Sequence, residues 1–329
     1  MSRGLAAAGT GRGGPGWMGR VSRAVCLLRS PLRMHEAWIR RRFRAAGLVE
    51  GQVALGNGSV HHWVGGGSGD TPVLLLHGFG ASALWQWYPQ VPALARRFKL
   101  CLPDLVFFGE STSDKGDRSV RFQAETFLQL ASHLGWERFH VVGLSYGGFV
   151  AMTLADMAPE RVGRMCLVGS PGYTMGAEDH QQLLERFGVE HVRDLLLPAG
   201  PEGVERLLRI AWHRPPRVPG FVLRDTYHTL FRGQAWQQAE LLESLLEEFK
   251  GGGASAGSLA GRAGEGTNPG QVLILWGEHD PIFPPYLARR LQEQLGGTAR
   301  LRIIEDTAHA PNMEKPALFN RLLAEFLAG

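Results

Sequence analysis

A serine hydroxyl becomes a nucleophile when the backbone lifts it clear and a neighbouring base takes its proton. Ser145 has the local half of that requirement. It lies in Gly143-Leu144-Ser145-Tyr146-Gly147, after Phe139-His140-Val141-Val142 and at the head of an apolar helical stretch. A nucleophile perched between strand and helix must turn sharply, with a strained positive φ. Side chains two positions before and after it would strike neighbouring backbone, which explains glycine at 143 and 147. The same turn leaves the Tyr146 N–H at a helix amino terminus, where developing negative charge is favoured. A second glycine-bracketed turn, His77-Gly78-Phe79-Gly80, follows the apolar run 73–76. Acyl transfer needs two donors on the oxyanion, and the Phe79 N–H is the natural second one beside Tyr146. His77 reads as a buried histidine that hydrogen-bonds this loop.

The base must come from among twelve histidines. His309 stands in Asp306-Thr307-Ala308-His309-Ala310-Pro311-Asn312, just past the last apolar run and before a terminal helix. A short loop at a strand's carboxyl end is where catalytic side chains are displayed. Asp280, in Trp276-Gly277-Glu278-His279-Asp280-Pro281, follows the run 272–276. It is preferred to Glu278, which is still leaving the sheet, and to Asp306, which is too near His309 in sequence to reach around its ring. The order Ser, Asp, His along the chain is that of the α/β-hydrolase fold, not of chymotrypsin or subtilisin.

The elements that must carry these residues alternate. Short apolar runs at 73–76, 100–102, 141–144, 165–169, 272–276 and 301–304 read as strands buried on both faces. Helical text separates them, notably at 123–134 and 147–157. That alternation predicts an α/β fold with a mostly parallel, doubly wound sheet. A short helix at 34–46 and a hairpin at 52–55 and 60–64, turning at Gly56-Asn57-Gly58, precede it. Between 172 and 266 the text is helical and leucine-rich (181–187, 204–212, 235–249), ending in a glycine- and alanine-rich stretch at 251–266 read as a flexible loop. Such an insertion sits over the crevice where open sheets bind ligands, and reads as a cap. The expected division is therefore 1–48, basic arm and short helix; 49–172, first part of the core; 173–266, cap and loop; 267–329, second part of the core.

Charge is uneven. Residues 1–50 hold ten Arg and two acids, about +8 by count; the rest holds 25 Lys plus Arg against 29 acids, about −4, and the two sum to +4. The basic character belongs to the arm, which argues against a nucleic-acid-binding body. The arm fits a transit peptide, a membrane-surface helix with Val21, Val25, Leu28 and Leu32 on one face, or a plain extension. A peripheral membrane contact through it is one expectation. Three scattered cysteines indicate neither disulfides nor zinc and suit an intracellular setting, cytoplasm or organelle. No apolar run reaches the ~20 residues of a spanning helix. The G-x-G-x-x-G at 9–14 has no strand before it, and no H-E-x-x-H is present, so no metal or nucleotide cofactor is implied.

Together HGFG (77–80), PDLVFFGEST (103–112), GLSYGG (143–148), WGEHDPIFP (276–284) and AHAPNMEKP (308–316) resemble the α/β-hydrolase superfamily from about residue 51 to the end. RRRFRAAGL (40–48) and DLVFFGEST are similar to plant members akin to monoacylglycerol lipases and carboxylesterases. The resemblance implies triad roles for Ser145, Asp280 and His309, and an oxyanion hole from the amides of Phe79 and Tyr146. One departure is Ala308, where the family usually has glycine. The implied activity is ester hydrolysis through an acyl-enzyme, on a substrate with an apolar acyl part. Carbon–carbon bond hydrolysis on the same triad, and a ligand-binding receptor on the same fold, are the alternatives.

Overall fold

The computed structural model describes residues 30–69, 71–80, 82–250 and 271–329. Residues 1–29 of the basic arm, with the G-x-G-x-x-G, and the stretch at 251–266 read as a flexible loop lie outside them. The chain enters through helix α1 (Pro31–Ala45), which starts three residues earlier than its apolar spacing suggests. Ser30 caps it, its Oγ accepting from Arg33 N, and Pro31 fits the first turn, where no N–H is needed. Its apolar face, Leu32, Ile39 and Phe43, is buried.

Strands β1 (Leu48–Leu55) and β2 (Gly58–Gly66) form the antiparallel hairpin. Then come β3 (Val73–Leu76), helices α2 (Ala83–Trp87) and α3 (Val91–Leu94), β4 (Lys99–Pro103), α4 (Val120–His133), β5 (Phe139–Leu144), α5 (Tyr146–Met157) and β6 (Val162–Val168). Among the described residues, five α-helices separate β6 from β7: α6 (Ala177–Phe187), α7 (Val192–Leu196), α8 (Pro201–Ala211), α9 (Gly220–Thr226) and α10 (Ala235–Lys250). No strand occurs among the described residues there. The chain finishes with β7 (Val272–Gly277), α11 (Pro285–Leu295), β8 (Ala299–Ile304), α12 (Pro311–Glu314) and α13 (Pro316–Ala328).

The sheet runs β1-β2-β4-β3-β5-β6-β7-β8, antiparallel through β1, β2 and β4 and parallel from β4 onward. Alternate residues of the central strands enter different cores. Leu74, Leu76, Val141 and Leu167 pack on one face with α4 and α5, while Val73, Leu75, Val142 and Cys166 pack on the other with α1 and α13. A period-2 strand buried on both faces must be apolar throughout, which is why these runs lack polar residues. Cys101 and Cys166 are buried free thiols, and burial pushes both pKa values up, away from thiolate chemistry.

The insertion between β6 and β7 has two anchorages. Val204, Leu223 and Phe231 make a small core of their own. Helix α10 instead joins the main core through Leu241, Leu242 and Leu245, with Gln238 Nε2 donating to Phe107 O at 3.0 Å.

One histidine gives the fold a pH dependence. His140 Nδ1 accepts from Arg164 N at 2.9 Å, which requires a neutral ring. Burial, reinforced by the charges of Arg164 and Arg138, pushes its pKa down to about 4 from 6.5. Between these values the unfolded chain binds a proton that the folded chain does not. Stability therefore falls as pH drops through that window. In thermal melts from about pH 7 to about pH 5, the wild type should lose roughly 1–2 °C more than His140→Gln, the equivalent of about 1 kcal/mol. Equal losses would assign the acid sensitivity elsewhere.

Candidate active site

Ser145 lies between β5 and α5, at the helix N-cap, with φ 53°, one of three non-glycine residues with positive φ among those described. Its N–H reaches Val168 O at 2.9 Å on β6, and its carbonyl accepts from Gly148 N at 2.9 Å. The strain is held by close packing. A Cβ on Gly147 would lie 2.5 Å from both Leu76 O and His77 O, and a Cβ on Gly78 would lie 2.9 Å from Ser145 Cβ. Tyr146 is the first residue of α5, so its N–H belongs to the first-turn amides that no helix carbonyl satisfies.

The loop after β3 is tied down on several sides. His77 is fully buried; Nδ1 faces Gly78 O at 2.8 Å, and Nε2 accepts from Leu105 N at 2.9 Å. Burial keeps its pKa low, so the ring is a neutral brace. Gly78 N donates to Gln86 Oε1 at 3.2 Å, and the Phe79 ring meets those of Tyr146 and Phe108 edge-on at 4.9 and 5.0 Å. Asp104 Oδ1 accepts from Ala83 N at 2.8 Å, while Oδ2 faces His61 Nδ1 at 2.9 Å. Burial raises the Asp104 pKa, but the His61 hydrogen bond, with the His61 and His77 rings and Ala83 N–H, holds it below the ordinary value.

Asp280 and His309 meet. His309 Nδ1 lies 2.8 Å from Asp280 Oδ2, both residues are buried, and Asp280 Oδ1 accepts from Ile282 N and Phe283 N at 2.9 Å each. A carboxylate accepts at this contact, so in the neutral imidazole the ring proton sits on Nδ1 and Nε2 presents its lone pair. The other two acids are engaged elsewhere. Glu278 accepts from Asp306 N at 3.1 Å, and Asp306 pairs with Lys315 at 3.4 Å and Arg214 at 3.7 Å.

Ser145 and the pair share one rim of the sheet. Gly169 directly follows the Val168 that holds Ser145 N, and a Cβ there would lie 3.3 Å from His309 Nδ1 and 3.4 Å from Asp280 Oδ2. Among the described residues no hydrogen bond joins Ser145 to His309. In free hydrolases such contacts are often long and tighten on substrate binding. Ala308 is accommodated: its N–H donates to Glu314 Oε1 at 2.6 Å, and its carbonyl sits where a side chain at Gly277 would be.

A cavity of about 320 Å³ runs from Gly80, Trp85 and Phe108 to Phe231 on one side and to Glu36 and Arg40 of α1 on another. Among the described residues, two sets could be read as metal ligands. His213, His279 and Asp306 bring ligand atoms within 4.8 Å, but the two rings are stacked 4.2 Å apart at 20°, so their in-plane lone pairs do not converge. Among Glu50, His61 and Glu110 the Arg40 guanidinium already sits, paired with both glutamates.

Residues 71–316 match the family described as alpha/beta hydrolase fold. The chain belongs to that family. It is 28% identical over 299 residues to a dihydrolipoyllysine-residue acetyltransferase component of an acetoin cleaving system from Pseudomonas putida, covering 87% of this chain and 74% of that protein. It is also 28% identical to a 2-hydroxy-6-oxo-6-phenylhexa-2,4-dienoate hydrolase from Comamonas testosteroni, covering 81% and 90%. Among solved structures it is similar to a membrane phospholipase A described as a bacterial virulence factor, with TM-score 0.75, 26% identity and coverage of 94% and 96%. For an α/β-hydrolase, the supports that sequence reasoning did not single out are Gln86, Asp104 and Glu314. Each is a polar side chain acting on another residue's backbone, and no local pattern announces that.

Proposed function

We propose that this α/β-hydrolase is a serine ester hydrolase. The observation carrying the reading is the buried His309–Asp280 pair at 2.8 Å, on the same rim as a serine held at φ 53°. His309 Nε2 takes the Ser145 proton as Oγ attacks the ester carbonyl, and Asp280 keeps the ring proton on Nδ1. The oxyanion rests on the amides of Phe79 and Tyr146, each donor being worth ~10²–10³ in turnover. The tetrahedral intermediate collapses, and His309 gives its proton to the departing alcohol. Water, deprotonated by the same nitrogen, then attacks the acyl-enzyme and frees the acid with Ser145 restored.

The phenyl and leucine side chains near Gly80 support an apolar acyl part: a Cβ on Gly80 would lie 3.0 Å from Leu207 and 3.7 Å from Phe231. Likeness to a phospholipase A points the same way. Labelling with a fluorophosphonate probe tests the nucleophile. Wild type should label, Ser145→Ala should not, and hydrolysis of p-nitrophenyl butyrate should fall about 10⁴-fold or more in the variant. Equal labelling of both forms would overturn the assignment.

Likeness to the Comamonas enzyme favours a second reading, cleavage of a carbon–carbon bond beside a ketone by the same three residues. Turnover of a dienoic diketone far above that of simple esters would select it.

A further inference from the structure

Helix α1 turns one face into the core and leaves the other as an unusual surface. On it Met34 and Trp38, one helical turn apart, are 51% and 43% exposed. They do not stand singly. His35 stacks on Trp38 at 5.1 Å and on Trp85 at 5.4 Å, and Tyr88 meets Trp38 edge-on at 6.3 Å. Two tryptophans and a tyrosine at one surface are the residue types that settle at a bilayer's headgroup level, where an apolar ring with a polar edge is best accommodated.

The charges beside these rings are lopsided. Arg40 and Arg44 are balanced by Glu36, Glu50 and Glu110. Arg41, Arg42 and Arg96 are exposed and have no carboxylate partner among the described residues. The Arg42 guanidinium lies 4.7 Å over the Trp38 ring, which holds the charge at the aromatic surface. Between α1 and α3 lies a cavity of about 440 Å³, floored by Ala45, Ala46, Pro92 and Ala95 and rimmed by Arg42 and Arg96. Two guanidinium groups over small apolar residues suit a phosphate with a hydrocarbon attached. Residues 1–29, which precede the helix in the sequence, hold five more Arg and no acid.

We infer that this face of α1, with α3, docks on the surface of an anionic phospholipid bilayer, the Arg42–Arg96 cleft taking a lipid phosphate and Trp38 and Met34 entering the headgroup layer. No inserted helix is required, since the apolar face of α1 is already spent on the core. Trp85 belongs both to this face and to the wall of the cavity that reaches Gly80, so a lipid surface here would lie beside that cavity.

The test is co-sedimentation of the full-length protein with phosphatidylcholine vesicles, with and without phosphatidylglycerol. Wild type should pellet with the mixed vesicles, be released by high salt, and ignore pure phosphatidylcholine. Replacing Arg41, Arg42 and Arg96 together by Gln should weaken binding about 10²-fold, given ~1 kcal/mol per basic residue at such a surface. Trp38→Ser should weaken it several-fold, and turnover of a short soluble ester should stay unchanged in both variants. Excess soluble glycerol phosphate should not displace the protein, because it lacks the surface. Wild-type binding by both variants would place the contact in residues 1–29 and overturn the inference. Failure of wild type to pellet, or equal retention by duplex DNA, would overturn it too. Because the ester readout is separate, failure here and failure of the nucleophile assignment are distinguishable.

Discussion

Asp280→Asn should lower kcat about 10⁴-fold while the protein stays folded. The reason is specific to how Asp280 is held. Its Oδ1 accepts two backbone N–H groups, from Ile282 and Phe283, and only an oxygen can do that. The asparagine must therefore keep its oxygen on that side and turn its NH₂ toward His309. An amide donor facing Nδ1 forces that nitrogen to become the acceptor, which moves the ring proton to Nε2. The nitrogen that should receive the serine proton is then already protonated. Asp280→Ala should be as inactive and less stable as well, since both N–H groups lose their partner in a buried site. Steady-state kinetics and melts of the two variants make the comparison. An asparagine variant within tenfold of wild-type kcat would remove the tautomer argument and with it the assignment of Asp280.

The second large effect is on folding. Gly147→Ala places a methyl 2.5 Å from both Leu76 O and His77 O, and 2.8 Å from Leu76 C. These are backbone atoms at the end of a central strand, with strands hydrogen-bonded on both sides, so no side-chain rotation relieves the clash. Moving β3 would also shift Gly78, where an added Cβ would lie 2.9 Å from Ser145 Cβ. A cost of about 3–5 kcal/mol is expected, enough to lower Tm by roughly 4–7 °C or to leave the protein insoluble. Gly116→Ala is the matched control, since an added Cβ there meets nothing within 4 Å, and it should melt as wild type does. A soluble Gly147→Ala protein with unchanged Tm would show that α5 can back away from the sheet, contrary to the close approach described.

How much of this was legible depends on the distance over which each constraint acts. The parallel strands were readable because burial on both faces forbids polar residues, and that leaves a mark within four to six positions. The turn at Ser145 was readable for the same reason: the strain and the two glycines that relieve it lie within five residues. The start of α1 was misplaced by three residues because its first turn is set by Ser30 and Pro31, a cap and not a periodic pattern. Helices α7 and α9 escaped because each is short and buries few residues, so little periodicity accumulates. The plant lipase-like resemblance remains a matter of short phrases, while the family is shown over residues 71–316.

The sequence by itself determined that a strand–serine–helix turn exists, that a histidine and an aspartate stand in loops after strands, and that the sheet is mostly parallel with helices around it. Only the tertiary structure decided that β4 lies between β2 and β3, that Asp280 and not Glu278 or Asp306 meets the His309 ring, and that Gln86 and Asp104 hold the loop that carries Phe79. The division has one physical cause. Burial and backbone strain act on a residue through its immediate neighbours and so select amino-acid types in recognisable short patterns. A hydrogen bond between residues distant in the chain selects only a polar atom at each end, and its partner becomes defined when the sheet has been assembled.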